Sequence, residues 1–575
     1  MIAGVLAGLV FSATFIARSA FDLLGRRAFS LFDDAMIGMI YGRNLARGDG
    51  LVWNAGQPAV EGITNPLWTV VMAGVHLVVP DDRATSLAVM VIGAVLLAVG
   101  ALLAGRIAAE LVPAGPVAPA VATWTAALLY PLAFWTLRGM ETGLAAVLVL
   151  AAALLTLRLA DADPAHRARL SGLLAVVVVA GVWTRLDVTV ATVVCGLWLA
   201  AAGGAHRRHA VVVVVAALAV AVVSQELFRL AYYGELVPNT FTQKIGGVAL
   251  GTRLERGVAG LGLQVSTSLA PLVLLAVAGL RRPMLRKASL LVGLFVAYAA
   301  YSISTGGDAW EWMGYTNRFL VLGAVALVPV AGAGVATVAR LGARSAGALV
   351  AAAVVLGALA VADPFPEALL QRDVATAVRA VAPFTVAGLV MVAAVLLGRR
   401  RLGPAVAGAF GTVALLAAAS GPGLAYWATH NAASVDTDAA MSRYGVLLGE
   451  LTEPGTSLAV VWAGAPIYFA DRPGVDVLGK SDRRIAELEP RPVTFHPGHM
   501  KWDYAISVLA DRPDVIARLW RDVEPVLPAL RDAGYVSATP TGELRRLWLD
   551  ARSPRILVRT GAAGVRWDRL AVEGL

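Results

Sequence analysis

The chain has 575 residues, 58% of them hydrophobic and only 15% charged, with a mean hydropathy of +0.72. Soluble globular domains carry about 25% charged residues, so this composition excludes a purely soluble protein and points to a membrane one. The net charge of +9 is no nucleic-acid footprint, because the basic residues sit mainly in short loops between apolar runs, as membrane topology demands. The single cysteine, Cys195, lies inside an apolar run and leaves no intrachain disulfide to form.

The opening segment, MIAGVLAGLVFSATFIARSA, lacks a basic leader and a convincing cleavage site, and reads as an uncleaved anchor. Further apolar runs fall near 84–105, 117–137, 142–160, 171–186, 187–203, 208–228, 262–280, 288–305, 319–340, 345–361, 383–398 and 404–424. Together they predict a polytopic α-helical membrane protein of about 11–13 spans. The loops HRAR (166–169), HRRH (206–209), RRPMLRK (281–287) and GRRRLG (398–403) are basic and are expected on the cytoplasmic side. Each pair of them is separated by an even number of runs, so the assignment is self-consistent.

The alternate loops then face outward: RGMETG (138–143), TRLD (184–187), RLAYYGELVPNTFTQK (229–244) and STGGDAWEWMGYTNR (304–318). NPLWTVVMAGVHLVVP (65–80) is apolar but short, and counting it as a span would reverse the side of everything after it. It is expected to lie on the outer face as a juxtamembrane helix within a first outer loop, 22–83, although Arg26 and Arg27 then sit outside against the usual bias. From about residue 425 the pattern changes. TSLAVVWAGAPIYFADRPGVDVLGKSD reads as strand, turn and helix, then strand, and YAISVLADRPDVIARLW as strand then helix. The expected division is a membrane domain, 1–425, followed by a soluble extracytoplasmic α/β domain, 426–575.

The chemistry-bearing residues gather in the outward loops. Asp33 and Asp34 stand adjacent just after the first apolar run, where a carboxylate either faces water or has a role. They also suit the first turn of a solvated helix. EGITNPLWT offers Glu61, Asn65 and Trp68, though Asn65-Pro66 equally suits a helix start. Arg138 and Glu141 flank a span start, as Arg185 and Asp187 flank another, and such pairs are often mutual neutralisation at a membrane edge. Tyr233, Asn239 and Lys244 combine a stacking face, an amide and a cation suited to a phosphate or a sugar. Asp308, Glu311 and Arg318 interleave with interfacial tryptophans. In the C-terminal part, FHPGHMKWD concentrates His496, Lys501 and Trp502; Pro497 and Gly498 there favour a turn over a metal site and suggest a carbohydrate or membrane-surface contact. No dinucleotide fingerprint, P-loop or GxSxG elbow occurs in a credible context.

The outer Asp-Asp, the surface helix beginning NPLW, the GMETG span start and the C-terminal outer domain resemble the GT-C superfamily of polyprenyl-phosphate-sugar glycosyltransferases. More narrowly, DDAMIGMIYGRNLARGDGLVWNAGQPAVEGITNPLWT, YGELVPNTFTQK, TGGDAWEW and LGKSDRR…FHPGHMKWD resemble the arabinofuranosyltransferase B type of mycobacteria and corynebacteria, over residues 33 to 503. The resemblance implies a multi-pass plasma-membrane enzyme with its active site outside. It implies a decaprenyl-phosphoryl-arabinofuranose donor, an arabinan acceptor (arabinogalactan or lipoarabinomannan) and a β-(1→2) linkage. It also implies Asp33 or Asp34 at the reaction centre, either deprotonating the acceptor or attacking the donor carbon if configuration is retained. Arg138, Arg185, Lys244 and Arg318 are then expected at the lipid phosphate. The resemblance fixes no cofactor; since some members of the superfamily use a divalent cation, one bridging Asp33 or Asp34 to the phosphate is a candidate. Another donor sugar such as mannose, a non-catalytic envelope accessory, or a transporter are the rival readings. The one-sided gathering of polar residues and the lack of a repeat speak against a transporter.

Overall fold

A computed structural model describes residues 1–113, 115–202, 207–314, 317–338, 341–362, 421–551 and 555–575, with residues 364, 386, 389 and 393 between them. Among the described residues, seven helices are long and apolar enough to cross a membrane: Asp82–Leu111, Thr142–Ala160, Pro164–Thr184, Arg207–Tyr233, Leu250–Gly279, Met284–Thr305 and Leu320–Thr337. Val117–Ala127 and Tyr130–Leu137 form an eighth if counted as one span bent by 44°. The bend has a local cause. Pro131, in the first turn of the second helix, has no N–H to continue the preceding one.

The predicted runs shift in three places. The run at 262–280 extends back to Leu250, through a π-turn at Val265–Leu269 just before Pro271. The run at 187–203 becomes Val188–Ala202, which at 15 residues is shorter than a full crossing, and the opening run becomes the 17-residue helix Ile2–Arg18. The runs at 383–398 and 404–424 and the basic loop 398–403 lie outside the described residues.

Leu320–Thr337 is apolar all round and buried along nearly its whole length, as a helix surrounded by others must be. It crosses Ala270–Gly279 so closely that a Cβ on Gly334 would overlap the Leu275 carbonyl oxygen.

Between the first helix and the bundle lies the segment that positions the site. A hairpin, β1 (Phe21–Leu23) and β2 (Arg26–Ala28), turns through Leu24 and Gly25, both at positive φ. It leads into the helix Asp33–Arg47, which begins at Phe32 and ends at Gly48 with φ 88°. Pro66–Val78 is a helix of 13 residues packed on Asp33–Arg47, with Val70, Leu77 and Val78 exposed. The two helices meet at Gly42, where a Cβ would lie 3.0 Å from the Ala73 nitrogen.

The C-terminal domain holds a six-stranded mixed sheet in the order β4-β3-β5-β7-β6-β8, formed by β3 (Leu458–Val460), β4 (Gly474–Asp476), β5 (Val515–Ile516), β6 (Tyr535–Pro540), β7 (Ile556–Arg559) and β8 (Leu570–Glu573). The β3, helix, β4 unit follows the sequence reading, with β3 parallel to both β4 and β5. YAISVLADRPDVIARLW reverses it: Ala505–Ala510 is helical and the strand is β5. A short apolar run fits either period, and Asp503 decides it by accepting the Ala505 N–H at 2.8 Å and starting a helix.

The C-terminal domain docks on the helical one through polar contacts. Arg43 donates to the Tyr468 carbonyl at 2.7 Å, Trp53 donates to the Ala463 carbonyl at 3.1 Å, and Arg138 ion-pairs with Asp438.

Candidate active site

Asp33 and Asp34 occupy the first turn of Asp33–Arg47, where the helix dipole favours negative charge. Successive residues on a helix point about 100° apart, and the two carboxylates accordingly part company. Asp33 turns to the C-terminal domain, its Oδ1 accepting the Ala465 N–H at 2.9 Å. Its Oδ2 is buried without a hydrogen-bond partner among the described residues. Burial, partly offset by Lys480 and the Ala465 N–H, raises the Asp33 carboxyl to about 7.

Asp34 turns into a cavity of about 340 Å³ between the two domains. Its Oδ1 accepts the Lys480 ammonium at 2.5 Å and its Oδ2 accepts the Arg318 guanidinium at 3.0 Å. Burial alone pushes Asp34 up, but Lys480, then Arg318 and Lys244, outweigh it and hold the carboxyl well below the usual range. Arg318 is itself fixed by Asp308, in a two-pronged pair at 2.7 and 2.9 Å. Lys244 lines the same cavity and has no hydrogen bond or ion pair among the described residues; burial and the nearby Arg318 lower it to about 8. These groups leave Asp34 ionised and surrounded by cations.

The rest of the wall is a second polar cluster. Arg185 clamps Asp187 at 2.6 and 2.9 Å and reaches Glu141 at 3.3 Å, while Asn65 donates to Glu141 at 2.7 Å. The Arg185–Asp187 pair is thus the mutual neutralisation that its spacing suggested. Arg138 and Glu141 do not pair: they diverge at Gly139 (φ 88°), and Arg138 turns instead to Asp438, outside the cavity. Gln225 lines the cavity with its Oε1 buried and without a hydrogen-bond partner among the described residues, and so does Thr240 with its Oγ1. Ile37, Leu186, Phe241, Ile245 and Phe319 supply apolar wall between these groups.

Several predicted residues hold the site without lining it. Glu61 ion-pairs with Arg229 at 2.6 Å, Trp68 donates to the Gly139 carbonyl at 2.9 Å, and Tyr233 donates to the Leu51 carbonyl at 2.9 Å. Asn239 donates to the carbonyls of Gly479 and Lys480 at 2.9 and 2.8 Å. Glu311 accepts the Asp308 N–H at 2.8 Å and so braces the residue that braces Arg318. Three residues of FHPGHMKWD stand apart from the expected carbohydrate contact. The His496 ring stacks on His499 at 4.3 Å. Lys501 is spent on the Thr242 and Ala486 carbonyls at 3.0 and 2.6 Å. Trp502 is 1% exposed, inside the core of the C-terminal domain, so its ring cannot present a stacking face.

Lys480 escaped sequence reasoning as a site residue. A lysine in a Gly-Lys-Ser-Asp turn is ordinarily solvated, and only the docking of the two domains turns it onto Asp34. Gln225 carried a fainter signal, as an amide beside Glu226 and Arg229 at the end of an apolar run.

A divalent cation does not fit the arrangement. Asp34 is flanked by Lys480, Arg318 and Lys244, Asp33 points elsewhere, and no group of three or more His, Cys, Asp or Glu among the described residues can hold a metal.

No protein-family model matches the sequence, and no curated protein matches it. Solved structures do share its fold. ArnT from Cupriavidus metallidurans in the apo state is 15% identical with a TM-score of 0.53, the match covering 96% of this chain and 97% of that one. The same protein bound to undecaprenyl phosphate is 15% identical with a TM-score of 0.58, over 98% of this chain and 99% of that one. The chain is therefore a multi-pass membrane protein whose helical part and sheet-containing C-terminal domain share the fold of ArnT.

Proposed function

We propose that the chain is a membrane glycosyltransferase that takes its sugar from a polyprenyl-phosphate donor and passes it to a hydroxyl of an acceptor glycan. One observation carries this reading: Asp34 enters the cavity at the point where three cations, Lys480, Arg318 and Lys244, converge on it. At the Asp34 end of the cavity, Lys480, Arg318 and Lys244 outnumber Asp34 and Asp308 by one charge, and the phosphodiester of a lipid-linked sugar is a partner for that excess. The apolar wall suits the isoprenoid next to that phosphate. The orphan oxygens of Gln225 and Thr240 accept from sugar hydroxyls.

An ionised, low-pKa carboxylate is a weak base but a competent nucleophile. Asp34 attacks the anomeric carbon as its bond to the phosphate oxygen breaks. A glycosyl–Asp34 ester forms, and polyprenyl phosphate leaves with the bonding electrons, stabilised by the three cations. The acceptor hydroxyl then displaces Asp34 from the same carbon, and its proton passes to the departed phosphate, whose second pKa is about 6. Two displacements at one carbon retain configuration.

The motif resemblance takes the proposal further. The sugar is arabinofuranose from decaprenyl-phosphoryl-arabinofuranose, and the acceptor is a terminus of cell-wall arabinan on the extracytoplasmic side. A β donor then gives the β-(1→2) linkage. The undecaprenyl phosphate bound to ArnT, a protein of the same fold, belongs to the same class of lipid and supports the donor assignment.

The test is transfer of radiolabelled arabinose from decaprenyl-phosphoryl-arabinose to a synthetic arabinan oligosaccharide by the purified protein, beside its Asp34→Asn variant. Transfer by the wild type alone supports the assignment. Transfer only from a mannose donor keeps the reaction and overturns the sugar, and silence with every lipid-linked sugar overturns the enzyme reading.

A further inference from the structure

We infer that Lys480 is an exchangeable partner: at rest it occupies Asp34, and the donor phosphate draws it away, which frees the carboxylate to react. The inference rests on the donor reading above and deepens it. Its basis is how unequally the backbone and the side chain of Lys480 are held.

The loop after β4 is pinned from within and from outside. Asp476 accepts the N–H groups of Leu478 and Gly479 at 3.0 and 3.1 Å on one oxygen, and that of Ser481 at 2.8 Å on the other. Gly479 turns the chain at φ +76°. From the helical domain, Asn239 grips the carbonyls of Gly479 and Lys480, and Gln243 grips that of Leu478 at 3.0 Å. Gly62 packs against the same loop, since a Cβ there would come within 2.4 Å of the Ser481 hydroxyl. The Lys480 backbone therefore has nowhere to go.

Its ammonium, by contrast, holds one side-chain partner, the Asp34 Oδ1 at 2.5 Å. An ammonium on four methylenes is a mobile point charge with three donors. Arg318, by contrast, is locked to Asp308 through two bonds. A phosphate entering the cavity beside the unpaired Lys244 thus meets one cation already waiting, one that is fixed, and one that can be recruited. Recruiting Lys480 removes the strongest positive neighbour of Asp34, and a carboxylate relieved of its closest cation is a better nucleophile. Asp34 acts as an internal occupant of the phosphate site until the donor arrives. The C-terminal domain thereby supplies a side chain without which the site in the helical domain is incomplete.

The test is binding of decaprenyl phosphate to the purified full-length protein, compared across wild type, Asp34→Asn, Lys480→Met, Lys480→Arg and the double variant Asp34→Asn/Lys480→Met. Removing the internal competitor is expected to tighten binding, so Asp34→Asn binds roughly tenfold more tightly than wild type. Lys480→Met binds roughly tenfold more weakly, Lys480→Arg recovers most of that loss, and the double variant shows no gain over Lys480→Met. Kinetically, Lys480→Met raises the donor KM with the acceptor KM unchanged. Unchanged or weaker binding by Asp34→Asn, or the same gain in the Lys480→Met background, overturns the exchange while leaving the donor reading intact. Failure of the wild type to bind any polyprenyl phosphate overturns both.

Discussion

Arg138 passes over Glu141, its neighbour in sequence, and forms a buried ion pair with Asp438, 300 residues away in the C-terminal domain. The same residue's carbonyl accepts the Phe32 N–H at 2.9 Å, immediately before the two aspartates. The pair therefore joins the start of the Asp33–Arg47 helix to the first long helix of the C-terminal domain, Val435–Leu451. With both side chains at most 5% exposed, removing one partner strands a buried charge. Arg138→Leu is expected to destabilise the protein by about 3–5 kcal/mol, and Arg138→Leu/Asp438→Leu to recover much of that loss. Thermal unfolding in detergent measures both.

The two adjacent aspartates should separate cleanly in function. Asp34→Asn abolishes sugar transfer while membrane expression and folding persist, because asparagine keeps an oxygen for Arg318 but cannot attack. Asp33→Asn retains an acceptor for the Ala465 N–H and leaves measurable transfer. Parallel single-variant assays decide this, and equal loss from both would contradict the division of labour. Mass spectrometry of wild type held with donor and no acceptor should find one sugar residue attached to the peptide carrying Asp34.

The buried carboxyls should contribute less to stability as pH rises across the near-neutral range. Burial raises Asp33 and Glu61 to about 7 and Asp438 to about 6, well above their unfolded values. Between the unfolded and folded pKa the native state binds more protons than the unfolded one, so unfolding free energy decreases with pH. The favourable contribution is whole below about pH 4 and spent by about pH 7. His496 and His499, buried and held below the usual imidazole range, act in the opposite sense below about pH 6.5, so the readout is the difference between wild type and Asp33→Asn. From about pH 5 to pH 7.5 the wild type should lose melting temperature relative to the variant. A wild type that gains on the variant over this window would contradict the Asp33 environment.

Trp502 belongs to the core of its domain, where Arg491 lies 5.4 Å over the ring. Trp502→Ala is expected to cost about 3–5 kcal/mol of stability. The acceptor KM of the folded fraction should not change, because the ring is not on the cavity wall. A selective rise in acceptor KM without loss of stability would restore the stacking role.

Gln225 gives a test of sugar recognition separate from that of the phosphate. Its buried Oε1 has no hydrogen-bond partner among the described residues, so Gln225→Leu should lower kcat/KM by roughly tenfold through a lost hydroxyl contact. Decaprenyl phosphate binding should stay near the wild-type value, since that ligand has no sugar.

Much of this protein is written locally. Apolar length marks most of the described spanning helices, because a bilayer requires about 20 apolar residues whatever surrounds them. The runs at 3–20 and 187–203 nevertheless form helices shorter than a crossing, and seven or eight spans stand among the described residues against the about 11–13 expected from the sequence. The strand, helix, strand order of residues 458–476 follows from pattern in the same way. The concentration of chemistry around Asp33-Asp34, the GMETG turn, Lys244 and Arg318 was also legible, since ionisable residues at a membrane edge need a reason to be there. What pattern leaves open is direction. Helix geometry sends Asp33 to the C-terminal domain and Asp34 to the cavity, yet nothing in two identical neighbours says which goes where until both surfaces exist. The turn at Gly139 swaps the partner of Arg138, and domain docking converts Lys480 from an ordinary turn lysine into the closest cation to Asp34. Composition and period act over a few residues, so the sequence by itself determines the helices and where its polar residues gather. Ion pairs between residues hundreds of positions apart depend on which surfaces meet, so only the tertiary structure decides which carboxylate faces the cavity and which cations hold it.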